Sequence, residues 1–237
     1  MRILRALTVF LILMAAISKA QSTDSTTQPG VSFIQPDDID VKTLLKPPPA
    51  EGSDQSRQEL DVLLGLQNSR TDADIKRARA EAHLTPFVFS EVLGSWFNPD
   101  DLPVTAAFLA NVMKETGSVA TVGKDLFQRR RPYLVDTRIQ PCVELEKTFS
   151  YPSGHSTRSM VLALTLAEIF PDQKDALIAR AKLIGYDREL AGEHFPSDVA
   201  AGQTLAKAIF EKMDANPDFK ADIEKVQEEC LAHEKKN

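Results

Sequence analysis

From Gln58 onward the apolar residues recur three and four apart, and no run alternates strictly as a half-buried strand requires. Leu60, Leu63, Leu64 and Leu66 set this spacing, and Ile75, Ala78, Ala82, Phe87, Phe89, Val92 and Leu93 carry it through residues 71–96. Asp100 and Asp101 are expected to cap a helix running to about Glu115, with Pro103 in its first turn and Gly117 breaking it. A further helix is expected from about Val119 to Arg130, ended by Pro132. Pro152 opens a strongly apolar helix reaching Ile169, Asp172 caps one ending near Gly185, and Pro196 opens another with Val199, Leu205, Ile209 and Phe210 inward. A charged tail, helical in pattern, follows. With no repeats and no second core, the expectation is one all-α domain, a helical bundle spanning residues 57–237.

The N-terminus reads differently. Arg2 and Arg5 precede an almost unbroken apolar run, Ala6 to Ile17, and Ser18-Lys19-Ala20 places small residues at −3 and −1. This is the pattern of a signal peptide cleaved after Ala20, so a periplasmic or secreted protein is expected. The alternative, a membrane anchor, needs about 20 apolar residues, more than this run supplies. Residues 21–56, rich in Ser, Thr, Asp, Gln and Pro, are expected to be extended and partly disordered, with polyproline II at Pro47-Pro48-Pro49. Losing Arg2, Arg5 and Lys19 takes the formal charge from −6 to −9. Such an acidic protein is not expected to partner nucleic acid or an anionic membrane. In an oxidising compartment Cys142 and Cys230 are expected to form one disulfide, two buried thiols being the alternative.

Three stretches carry chemistry. In Lys124-Asp-Leu-Phe-Gln-Arg-Arg-Arg131-Pro132, a helix would put Lys124 and Arg131 on one face, about 10.5 Å apart along the axis and able to converge on one anion. The plain reading is a solvated basic helix end. In Ser150-Tyr151-Pro152-Ser153-Gly154-His155-Ser156, the backbone N–H groups of a helix start, with Gly154 permitting close approach, make an anion site beside His155. An N-cap with an incidental histidine is the plain alternative. In Asp187-Arg188-x5-His194-x3-Asp198, Asp198 lies one turn beyond His194 and can hold one ring nitrogen, leaving a lone pair on the other. Here the plain alternative is an ordinary capped helix with an exposed histidine.

Taken together, these stretches resemble the signature of the phosphatidic acid phosphatase type 2 and haloperoxidase superfamily: Lys-x6-Arg-Pro, then Pro-Ser-Gly-His, then Ser-Arg-x5-His-x3-Asp. The match covers roughly residues 124–198. Pro47-Pro48-Pro49-Ala50-Glu51-Gly52-Ser53 and the Ser150-Tyr151 lead-in are similar to the class A bacterial non-specific acid phosphatases. The resemblance implies that Lys124, Arg131 and Arg188 bind phosphoryl oxygens, with Ser153 and Gly154 completing the cradle. It implies that His194 is the nucleophile, Asp198 orients it, and His155 protonates the leaving oxygen. The implied activity is hydrolysis of phosphate monoesters through a phosphohistidine, with transfer to other acceptors as a side activity.

Two departures bear on substrate range. Asp187 stands where the family has Ser, able to orient Arg188 or compete for it, and Phe149 stands where class A has Gly. Arg129, Arg130 and Arg158 match no motif position and are expected at the surface or rim. The four histidines form no metal-ligand pattern, so no metal and no cofactor are expected. Rival readings are a vanadate-dependent haloperoxidase, a lipid phosphatase and a non-catalytic phosphate-binding module. A homo-oligomer is left open.

Overall fold

The computed structural model describes residues 32–234; the expected leader and its cleavage site lie outside them. Among the described residues every regular element is a helix. The long ones are α1 (Asp54–Ser69), α2 (Asp72–Ala80), α3 (Pro103–Phe127), α4 (Gly154–Ile169), α5 (Lys174–Leu190), α6 (Pro196–Asp214) and α7 (Pro217–Glu234). None is long and apolar enough to cross a membrane.

Helix α4 is the centre of the bundle, packed on α3, α5 and α6. It is buried nearly all round, as its apolar character on every face requires. Glycines let its neighbours come close. A Cβ on Gly202 of α6 would lie 2.7 Å from the Ser153 carbonyl oxygen, so α6 can approach the start of α4 only with a residue lacking one.

Helix α3 departs from expectation at both ends and in the middle. Its N-terminus is not capped by Asp100 or Asp101, whose N–H groups bond to Asn98 Oδ1. The carboxylate of Glu229, from α7, accepts from Val104 N at 2.9 Å and Thr105 N at 2.8 Å. Gly117 does not break the helix; it lies inside α3, against the Arg158 guanidinium. An interior glycine costs only about 1 kcal/mol relative to alanine, which packing of this extent overrides. For the same reason α5 runs through Gly185 to Leu190, and the two helices expected within residues 103–130 are one, ending at Phe127.

From Ser32 the N-terminal segment is docked. Phe33, Ile34, Val41 and Leu45 are buried, Phe33 edge-on to Phe108 and Phe219. Glu115 Oε2 accepts from the N–H groups of Phe33 and Ile34.

The expected disulfide is not formed. Cys142 packs with Ala78, Leu190 and Ala191 beside α2 and α5, whereas Cys230 belongs to the main core, 3.9 Å from Thr105 Oγ1. Both side chains are buried in separate apolar clusters, which is where a thiol behaves as a small hydrophobe.

Candidate active site

The three stretches meet where the end of α3, the start of α4 and the turn between α5 and α6 converge. Lys124 and Arg131 do not share a helix face, because α3 ends at Phe127 and Gln128 turns left-handed at φ 47°. They meet instead on one acceptor: Lys124 Nζ donates to the Phe149 carbonyl, and Arg131 Nη2 lies 3.5 Å from the same oxygen. Arg131 and Arg188 are each 1% exposed and both face the Glu146 and Glu193 carboxylates. Among the described residues, Arg188 Nε and Nη1 are buried with no hydrogen-bond partner. A buried charged donor without an acceptor is costly, and a tetrahedral oxyanion offers the acceptors these two need.

Pro152 does not open α4. Ser153 is its N-cap, accepting from Ser156 N at 3.3 Å, and Gly154 is its first residue. Ser153 N donates to the Asp198 carbonyl at 3.0 Å, so its N–H and one lone pair are committed to the fold. The backbone N–H groups that the start of α4 could offer an anion therefore begin at Gly154, whose N–H is among those a first turn leaves without an intrahelical acceptor.

The two histidines have distinct settings. His194 turns Nδ1 towards Asp198 Oδ2 (3.4 Å) and Ser150 Oγ (3.3 Å), and Nε2 towards Arg131 Nη1 at 3.3 Å. His155 Nε2 lies 3.2 Å from the Ala82 carbonyl oxygen, which fixes the proton there and turns Nδ1 to Glu146 Oε1 at 3.5 Å.

The residues match known proteins in the same region. The PAP2 superfamily model covers residues 104–210. A non-specific acid phosphatase from Providencia stuartii is 32% identical over 219 residues, 87% of each chain. This chain belongs to the PAP2 superfamily. Two solved structures share the PAP2 fold at lower identity. A transmembrane PAP2-type phosphatidylglycerolphosphate phosphatase from Bacillus subtilis is 19% identical with a TM-score of 0.50, covering 69% of this chain and 87% of its own. A bacterial vanadium-dependent iodoperoxidase is 17% identical with a TM-score of 0.56, covering 72% and 52% respectively.

Several residues of this PAP2 site were not legible in the sequence. Arg129, expected at the rim, is 9% exposed. Its Nη1 donates to Asp198 Oδ1 at 2.6 Å and Ser197 Oγ at 2.7 Å, its Nη2 to Glu59 at 2.7 Å, and it lies over the Phe195 ring. Two buried carboxylates need this cation, and removing one partner from such a group typically costs about 3–5 kcal/mol. Ser150 Oγ donates to Asp198 Oδ2, so that carboxylate is held from both sides. Arg158 is half-buried, close to Gly154 one turn back, whereas Arg130 is exposed and paired with Glu51 as a surface residue would be. Asp187 does not compete for the cradle: Arg77 of α2 holds it through two bonds of 2.6 and 2.7 Å.

Burial dominates the electrostatics of the PAP2 site. It pushes the His194 imidazole well below the usual histidine range, helped by Arg131, Lys124 and Arg188, so the ring is neutral and its Nε2 lone pair faces the Arg131 guanidinium. Burial, then Arg188, pushes His155 down to about 3, with Glu146 opposing. Burial and Arg131 bring Lys124 down to about 7.

Proposed function

We propose that this acid phosphatase hydrolyses phosphate monoesters of broad range through a phosphohistidine at His194. The observation that carries the reading is the pairing of a neutral, carboxylate-backed imidazole with Arg131 and with an arginine, Arg188, that has unmet donors. In this reading Lys124, Arg131, Arg188 and the Gly154 N–H hold the phosphoryl oxygens and offset the charge that builds on them. The His194 Nε2 lone pair forms the P–N bond as the P–O ester bond breaks, and the departing oxygen takes a proton from Nδ1 of His155, which takes up that proton when the substrate anion binds beside it. Water then attacks phosphorus, giving a proton back to His155, and the P–N bond breaks to release phosphate. An alcohol in place of water gives transfer instead of hydrolysis.

The protein's own cations supply the charge in this scheme, so turnover of an aryl phosphate is expected to continue in EDTA and to be inhibited competitively by vanadate. Activity lost on chelation and restored by a divalent metal would overturn the mechanism.

Export is part of the proposal and rests on the leader-like residues 1–20. Mass spectrometry of the protein recovered from its producing cells is expected to find Gln21 first. An intact N-terminus at Met1 would sink it.

A further inference from the structure

We propose that Glu146 is a built-in competitor for the phosphate site: its carboxylate bridges Arg131 and Arg188, and a substrate displaces it to bind. The inference rests on reading the cradle as a phosphate site. Glu146 Oε2 lies 3.0 Å from Arg131 Nη2, and Oε1 lies 3.4 Å from Arg188 Nη2 and 3.5 Å from His155 Nδ1. One carboxylate thus engages both arginines that a phosphoryl group is proposed to engage, and lies beside the acid histidine.

Two carboxylates face these arginines, and the structure distinguishes them. Glu193 is fully buried, on the turn joining α5 to α6. Its backbone carbonyl is also tied to Arg131, at 3.2 Å. Glu146 keeps a third of its side chain exposed and sits on the irregular connection between the turn Pro132–Val135 and α4. Glu146 has an exposed side towards which it can swing, whereas Glu193 is buried all round.

Glu146 also fits the cradle incompletely. With its carboxylate in position, Arg188 Nε and Nη1 remain without acceptors among the described residues. A carboxylate brings two oxygens and one charge, whereas a phosphate monoester dianion brings three free oxygens and two charges. The incoming group therefore wins the exchange, but against an occupied site. Burial pushes the Glu146 carboxyl up, yet the flanking arginines, Arg131 first and then Arg188, hold it down. Glu193 and Tyr133 also face this group, and Thr148 Oγ1 lies 3.4 Å from it. The competitor stays charged through the acidic range in which such an enzyme works. Its consequence is weaker retention of the product, inorganic phosphate, which shares every contact with the substrate's phosphoryl group.

The test is calorimetric titration of inorganic phosphate into the wild-type protein, Glu146→Gln and Glu146→Ala, with circular dichroism confirming the fold of each. Phosphate is expected to bind both variants about tenfold tighter or more, the equivalent of ~1.4 kcal/mol from removing one charged competitor. The inhibition constant for phosphate in turnover should fall in parallel. Binding in the wild type that is unchanged or weakened in both variants would overturn the proposal alone. Folded proteins that bind no phosphate in any of the three forms would overturn the phosphate-site reading, and the proposal with it.

Discussion

His194→Ala is expected to abolish phosphoenzyme formation with every substrate and to lower turnover on the order of 10⁴–10⁶-fold, the scale seen when a nucleophile is removed. Nε2 is the ring nitrogen beside Arg131, and Nδ1 is committed to Asp198 and Ser150. The variant should fold, because Asp198 keeps Arg129, Ser150 and the Phe195 N–H as partners when the ring is gone. Acid-quenched labelling with a radiolabelled aryl phosphate reads the outcome directly. Label retained in His194→Ala and absent in His155→Ala would reverse the two assignments.

His155→Ala is expected to lose activity according to the leaving group. An alkyl alcohol leaves poorly and needs a proton, so the loss should approach the ~10²–10⁴ typical of general acid catalysis. Nitrophenolate leaves without help, so its phosphate ester should suffer far less, and the variant should trap phosphohistidine at His194. Equal losses with alkyl and aryl esters would count against the role. The structure adds a condition to it. In the unliganded protein burial and Arg188 keep His155 neutral above about pH 3, so the proton must arrive with the substrate. A phosphate dianion beside Nδ1 favours the imidazolium, as any nearby opposite charge does. Lys124 acts in the same direction: brought down to about 7 by burial and Arg131, it gains its charge as pH falls through that value. Activity should therefore fall as pH rises through about 7, giving an acidic optimum. A profile that is flat across neutrality would contradict this.

Much of the fold was legible because it is local. Helical spacing from Gln58, prolines at first turns and a histidine four residues before an aspartate are properties of short windows, set by backbone geometry before any tertiary contact forms. The His194–Asp198 pair is such a case, since Pro196 and the 3.6-residue turn bring Asp198 back to Nδ1 at 3.4 Å. Helix ends were less legible. Glu229 caps α3 from more than a hundred residues away, and Gly117 and Gly185 lie inside helices because neighbouring helices pack closely there.

The sequence by itself determined an all-helical fold and the local settings of its two motif histidines, whereas the spacing of Lys124 and Arg131 along one helix was not realised. Only the tertiary structure decided the charges around those histidines. Arg129 and Arg130 are adjacent and chemically identical, yet one is buried against Asp198 and Glu59 while the other faces solvent with Glu51. Glu146 and Glu193 look like any surface acids until the fold sets them against Arg131 and Arg188. Cys142 and Cys230, expected partners by count, are assigned to different clusters. The reason is common to all of these: burial and pairing are properties of where a side chain ends up among residues distant in sequence, and residue type carries no record of that position.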